Sequence, residues 1–142
     1  MTTLVKILAA FFISMAIQAQ KTIDSGSIDI VVDGITSNEG SIIIGVFSDK
    51  DSFLKKPMYS KKVNATKGEP VVIHFDNIPK GTYAISLFHD KDGNNELNRR
   101  LGMIPTEPYG ISNNAVSNFG PPQWNQAKFV VDGTRVRQNI QL

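Results

Sequence analysis

Short apolar or alternating segments recur along the chain from residue 27 to its end, and turn-forming residues separate them. These segments are rich in Val and Ile, which is typical of β-strands. No segment after Gln20 keeps a helical period over three turns, although Asp49 could cap a short helix over residues 49–56. We predict seven strands, over residues 27–32, 41–47, 59–65, 71–75, 83–89, 127–131 and 136–142.

This pattern predicts an all-β fold, an antiparallel β-sandwich of immunoglobulin-like or transthyretin-like (prealbumin-like) type. Asp132-Gly133 separates the last two strands and predicts that they form a hairpin. Tyr83 opens a strand just after the turn at residues 79–81. Its hydroxyl can return to the backbone across a sandwich corner, or its ring can pack at a sheet edge. Neither alternative makes Tyr83 catalytic.

Residues 1–19 have the features of a secretory signal peptide. Lys6 is followed by an apolar run over residues 7–17, and the small residue Ala19 precedes the predicted cleavage point. The run is shorter than the roughly 20 residues that span a bilayer, so a membrane anchor is the weaker interpretation. We expect residues 20–142 to be exported, to the periplasm or outside the cell, as a single β-sandwich domain.

The composition limits the chemistry that this domain can carry. The 142 residues include no Cys and two His, and their formal net charge is +2. The absence of Cys excludes disulfides, thiol nucleophiles and thiolate zinc sites. The nearly balanced charge argues against nucleic-acid binding. We expect a monomer that has no transmembrane span after signal cleavage and that takes its stability from packing.

Oxygen-bearing side chains follow the fifth predicted strand at alternate positions. Asp90, Asp92, Asn94 and Asn98 match positions 1, 3, 5 and 9 of a calcium-binding loop, and Glu96 at position 7 could offer its backbone carbonyl. Calcium is therefore the one cofactor that the sequence suggests.

The match to a calcium loop has two defects. Asn95 stands where Gly is usual, and Leu101 stands where the bidentate carboxylate is expected. Another acid, such as Glu107, would have to supply that ligand. The alternative is an ordinary polar turn, because Asp, Asn and Gly favour turns in any case.

Residues 99–126 are predicted to form one long ordered loop. Glu107 is the only charged residue after Arg100 in this segment, which also holds four of the seven prolines. In one interpretation, aromatic and amide side chains line a surface for a polar ligand such as a glycan or peptide. That candidate set is Tyr109, Asn113, Asn114, Phe119 and Trp124. In the other, which we favour, the aromatics plug an open end of the sandwich and the Asn side chains satisfy the loop backbone.

Three phrases, GTYAISLFHDKDGNNELN at 81–98, GMIPTEPYGISNN at 102–114 and FGPPQWNQAKF at 119–129, carry a family resemblance. They resemble the bacterial family called domain of unknown function 2141, and GSIIIGVFSDKDSFL at 40–54 fits it too. The resemblance implies a small, secreted β-sandwich protein with no established activity. It supplies no catalytic residues.

We expect a non-enzymatic accessory module that binds an extracytoplasmic ligand or protein. A purely structural envelope or matrix domain is the alternative, and a hydrolase is less favoured. His89 and Asp90 are neighbours on a strand, so their side chains should point to opposite faces. His74 lies in the middle of a strand, where an ordinary strand histidine is more common than a catalytic base.

Overall fold

The computed structural model describes residues 24–142, so the predicted signal peptide over residues 1–19 lies outside the described residues. Ten strands form in the described part of the chain: β1 (Ser25–Asp33), β2 (Ser41–Phe47), β3 (Tyr59–Asn64), β4 (Val71–Pro79), β5 (Gly81–Asp90), β6 (Arg99–Arg100), β7 (Ile104–Pro105), β8 (Tyr109–Ile111), β9 (Phe129–Val131) and β10 (Arg135–Gln141). A 3₁₀ turn over Ser112–Asn114 and a short helix, α1 (Trp124–Ala127), complete the secondary structure.

The strands of residues 24–142 form two larger sheets and one small hairpin. The first sheet has the order β10–β1–β4, and the second has the order β3–β2–β5–β8. β9 adds to the beginning of β5, and β6 pairs with β7. Alternate residues of β1 and β4, such as Ile30 and Ile73, meet Ile44 and Leu87 from the second sheet in one apolar core. The predicted all-β class is confirmed.

Two predictions about local structure are wrong. β9 and β10 do not form a hairpin, because β9 pairs with β5 while β10 pairs in parallel with β1. The Asp132-Gly133 turn therefore carries the chain from one sheet to the other. Residues 49–56 form turns instead of a helix: Asp49 caps the first turn through the Ser52 amide, and Leu54 then adopts a positive φ of 60°.

Side chains close both edges of the β10–β1–β4 sheet. The Asn114 amide donates to the Asn139 carbonyl (3.1 Å) and accepts from the Gln141 amide (2.9 Å), as a neighbouring strand would. On the opposite side, the Lys61 ammonium donates to the backbone carbonyl of His74 and lies 4.8 Å from the centre of the Phe75 ring. These contacts satisfy backbone groups that would otherwise be open to pairing with another chain.

A second, smaller core covers part of the outer face of the five-stranded sheet. Phe47 and Ile111 from the sheet pack with Phe53 from the 49–56 turns and with Ala127 from α1. Trp124 packs against this cluster, with its ring centre 5.7 Å from that of Phe53. The long segment is therefore partly regular, with three strands and a helix where the sequence predicted a loop.

Of the two alternatives for Tyr83, the structure shows the one in which the hydroxyl returns to the backbone. Tyr83 is buried and its hydroxyl donates to the Pro79 carbonyl at 2.9 Å, which fixes the turn between β4 and β5. Burial raises the pKa of the phenol above its usual value of 10.0. No helix among residues 24–142 combines the length and the apolar character that crossing a membrane requires.

We predict that Gly110→Ala destabilises the domain by about 1–3 kcal/mol, because overpacking a filled core forces its neighbours to move. A methyl group on Gly110 would overlap Ile140 and would lie 3.0 Å from the Gln141 carbonyl oxygen. Urea unfolding measures the change. Gly81→Ala is the control, because its methyl group would make only ordinary contacts with Tyr83, at 3.4 Å or more. Equal stability of the two variants would contradict the packing described here.

Candidate functional site

The end of β5 is buried although it carries two polar side chains. His89 and Asp90 are both fully inaccessible to solvent. The His89 Nε2 lies 2.7 Å from the Glu39 carbonyl oxygen, and since that oxygen can only accept, Nε2 donates. The His89 amide donates to the Pro108 carbonyl at 2.9 Å. His89 therefore ties the β1–β2 connection and the start of β8 to the same strand.

Asp90 organises the turn that follows it. One carboxylate oxygen accepts from the Gly93 amide and the other from the Asn95 amide, each at 3.0 Å. Lys62 on β3 lies 3.9 Å from the second oxygen and donates to the Asn95 side chain at 2.6 Å. Asn95 adopts a positive φ of 63°, so it takes the left-handed geometry that a glycine usually supplies.

Glu107 fastens the other side of the same turn. Its two carboxylate oxygens accept from the Lys91 amide at 2.9 Å and from the Asn98 amide at 3.1 Å. The side chain is buried, 8% exposed, although it lies in the segment that the sequence predicted as a loop. One carboxylate thus joins the first and the last residues of the 91–98 turn to the segment that precedes β8.

Asp92, Asn94 and Asn98 form a second layer on the exposed side of the turn. Asp92 accepts from the Asn98 side-chain amide at 2.8 Å and from the Asn94 backbone amide at 3.2 Å. These hydrogen bonds hold the pKa of the Asp92 carboxyl below its usual 3.8, and the bond from Asn98 has the largest effect. Asn94 accepts from the Glu96 amide at 2.8 Å, which places Glu96 on the exposed rim.

Three carboxylates converge in this turn. Oxygen atoms of Asp90, Asp92 and Glu107, here called the acidic cluster, lie within 4.8 Å of one another. The structure thus brings two of the predicted calcium ligands together with the acid that the sequence could only suggest. Three carboxylates at this separation can converge on one hard cation, which prefers oxygen ligands. The amide side chains of Asn94 and Asn98 are hydrogen-bonded to Asp92 beside them.

A groove of about 1050 Å³ lies on the outer face of the five-stranded sheet. Its floor includes Ile43 from β2, Ser60 from β3, and Ser86 and Phe88 from β5. One wall is the 95–105 segment, which continues from the acidic cluster. Further lining comes from Tyr109 and from residues 120–122.

The predicted ligand residues are divided between the groove and the packing of the loop. Tyr109 lines the groove and is 41% exposed, and Phe119, which precedes the lining residue Gly120, is 93% exposed. Trp124 packs against the second core. Asn113 donates to the Gln126 and Lys128 carbonyls, at 3.1 and 3.0 Å, and Asn114 bonds to β10. The aromatic residues therefore do not form one exposed surface.

Two further polar groups have structural partners. The buried Ser112 hydroxyl donates to the Ala127 carbonyl at 2.6 Å and accepts from the Ile85 amide at 2.9 Å, joining α1 to β5. His74 lies 2.8 Å from Asp29 on the outer face of the other sheet, where Arg135 is 3.4 Å from the same carboxylate. The His74 hydrogen bond, more than the arginines, lowers the Asp29 pKa below 3.8.

The comparisons with known proteins give one match. A family described as an uncharacterized protein conserved in bacteria, domain of unknown function 2141, matches residues 30–139. This match confirms the resemblance carried by the sequence motifs. The chain matches none of the curated proteins and none of the solved structures with which it was compared.

Proposed function

The chain belongs to the domain of unknown function 2141 family, and we propose that it is an exported, non-enzymatic binding module. In this proposal the sandwich, of immunoglobulin-like or transthyretin-like type, presents the groove to a polar extracytoplasmic ligand. A calcium ion at the acidic cluster fixes one wall of that groove. The observation that carries the proposal is the convergence of Asp90, Asp92 and Glu107 within 4.8 Å at the base of the wall.

Charge balance supports a cation at the acidic cluster. Asp90 and Glu107 are buried, and a buried carboxylate is unfavourable unless it is hydrogen-bonded and paired. Among residues 24–142, Lys62 is the one cation that forms an ion pair with the cluster; its ammonium lies 3.9 Å from an Asp90 oxygen, and its side chain is half exposed. A divalent ion would compensate the remaining negative charge. Each carboxylate oxygen has two lone pairs, so oxygens that accept backbone amides can still bind an ion.

The wall of the groove depends on the same contacts. Glu107 holds the Asn98 amide, and Thr106 donates to the Asn98 carbonyl at 2.8 Å. The β6–β7 hairpin begins immediately after Asn98, so its position follows from these two bonds. Calcium binding would therefore stabilise the lining residues of this wall, which include Asn95, Glu96 and Arg99.

The chemistry of the groove suits a glycan or a peptide. The aromatic rings of Phe88 and Tyr109 offer flat apolar faces, and the hydroxyls of Ser60 and Ser86 offer hydrogen bonds. Arg99 and Glu96 add charged groups at the margin. Sites for small molecules commonly combine an apolar lining with a few polar groups in this way.

A purely structural role is the second candidate. It is favoured because three of the predicted ligand residues make their contacts within the domain. The amides of Asn113 and Asn114 bond to neighbouring backbone, and Trp124 packs on Phe53. In this alternative the acidic cluster serves only to order the 91–98 turn, and the groove stays empty.

We predict that calcium raises the melting temperature of the exported chain by roughly 5–10 °C at about 10 mM, if its affinity is that of extracellular calcium modules. Circular dichroism in calcium and in chelator measures the shift. Asp92→Asn should reduce it strongly, and this variant should fold because Asp92 is exposed. Glu69→Gln removes an exposed acid far along the chain from the cluster and should keep the full shift. The same midpoint for the wild type in calcium and in chelator would refute the calcium site.

We predict that Tyr109→Ala weakens binding of the glycan or peptide by about tenfold, the loss expected when an aromatic contact of roughly 1.5 kcal/mol is removed. An array of glycans and peptides identifies the ligand, and titration calorimetry then compares the variants. Met58→Ala is the matched control, because Met58 is an exposed apolar residue that does not line the groove. Equal binding by Tyr109→Ala and the wild type would place the ligand elsewhere. The absence of any ligand would favour the structural alternative, whatever calcium does.

A further inference from the structure

Exposed apolar side chains are concentrated in one part of the described chain. Nine large apolar side chains are exposed in residues 24–142, and six of them lie between Leu101 and Phe119. Leu101, Met103 and Phe119 are 81%, 78% and 93% exposed, so they contribute almost nothing to the packing of the domain. Exposed apolar groups that cluster in this way indicate contact with a partner or a membrane.

Leu101 occupies the tip of the β6–β7 hairpin in a conformation that leucine rarely adopts. The Met103 amide donates to the Arg100 carbonyl at 3.3 Å, and the two central residues, Leu101 and Gly102, have φ values of 53° and 71°. Positive φ at both positions favours Asn and Gly, and a leucine there is strained. Because the backbone is strained and the side chain is exposed, packing within the domain does not account for a leucine here, whereas an external apolar contact does.

The two most exposed segments border the same groove. Met103 and Ile104 line it from the β6–β7 hairpin, and Gly120 and Pro121 line it from the segment that follows Phe119. We call Leu101, Met103, Ile104 and Phe119 the apolar tips. They lie on two separate turns: Leu101, Met103 and Ile104 belong to the β6–β7 hairpin, and Phe119 belongs to the segment before Gly120.

The β6–β7 hairpin, which carries three of the four apolar tips, is positively charged, although the exposed Glu96 lies shortly before it. Arg99 and Arg100 are exposed at the base of the hairpin. Glu107 is the only acidic residue between Leu97 and Lys128, and it is buried. Large apolar residues next to arginines are the pattern of proteins that lie on anionic membranes, where side chains enter the interface and cations bind headgroup phosphates.

We propose that the apolar tips insert into the surface of an anionic lipid bilayer, with Arg99 and Arg100 binding its phosphate groups. Insertion of the four apolar tips together with two arginines gives a reversible attachment, far weaker than that of a transmembrane helix. The proposal rests on the loop tips and the arginines. Although Arg99, Met103 and Ile104 also line the groove, attachment to a membrane requires neither the ligand nor the calcium proposed above.

Vesicle co-sedimentation of residues 20–142 tests the proposal, since both larger sheets lie within residues 24–142. The wild type should bind vesicles of phosphatidylglycerol and phosphatidylcholine more strongly than vesicles of phosphatidylcholine alone, and salt should weaken the binding. The double variant Leu101→Ser/Phe119→Ser should lose at least about tenfold in affinity for the anionic vesicles. Each of Arg99→Gln and Arg100→Gln should lose about fivefold. Val130→Ser is the matched control, because Val130 is 63% exposed on β9, and it should bind as the wild type does.

Fluorescence locates the inserted residue. In a Trp124→Phe background, a tryptophan introduced by Phe119→Trp should shift its emission to shorter wavelength on anionic vesicles, and one introduced by Val130→Trp should not. No binding to either vesicle, or equal loss in the Val130→Ser control, would overturn the proposal. Dimers that the double variant dissociates, without vesicle binding, would also overturn it and would assign the tips to a second copy of the chain.

Discussion

Asp90 and Glu107 are buried side by side where β5 ends, and much of the neighbouring chain is arranged to satisfy their carboxylate oxygens. Four backbone amides of the 91–98 turn donate to these two side chains. Because a buried carboxylate without partners is strongly unfavourable, this turn has little freedom to adopt another conformation. The 91–98 turn therefore also fixes the positions of the β6–β7 hairpin that follows it and of the groove wall.

The rest of the long segment is held by side chains that hydrogen-bond to backbone groups, as a neighbouring strand would. Asn114 pairs with the edge of β10, and Ser112 joins α1 to β5. Asn113 donates to two backbone carbonyls at the end of α1, those of Gln126 and Lys128. These polar contacts, with the second core around Phe53, fix the segment in a chain that has no disulfides. With its frame fixed in this way, the domain can expose apolar tips and an open groove on the same side.

The strands could be predicted because alternation and β-branched residues are local signals. The partner of a strand is not local, which explains the failure at Asp132-Gly133: the turn chemistry is correct, but the next strand pairs with β1 in the other sheet. Leu54 shows a similar limit. The residues around it favour a helix, yet its positive φ and its packing against the second core end the helical turn.

The site was predictable in part for the same reason. Asp90 and Asp92 are close in sequence, so their convergence follows from the turn. Glu107 reaches them only because β8 pairs with the end of β5, and the sequence could offer it as a candidate but not place it. No sequence signal indicated that Leu101 would be exposed at positive φ. The favoured interpretation of the loop did predict that Asn113 and Asn114 bond to backbone, but it could not name the partner residues.

The most direct test of this account is hydrogen exchange at the amides of Lys91 and Asn98, which donate to Glu107. In Glu107→Ala, both amides should exchange at least about tenfold faster than in the wild type, because each loses its acceptor. The amide of Ile85, which donates to Ser112 in the core, should keep its protection and show that the sandwich remains folded. Unchanged exchange at Lys91 and Asn98 would contradict the claim that the buried carboxylates hold this turn and the wall beyond it.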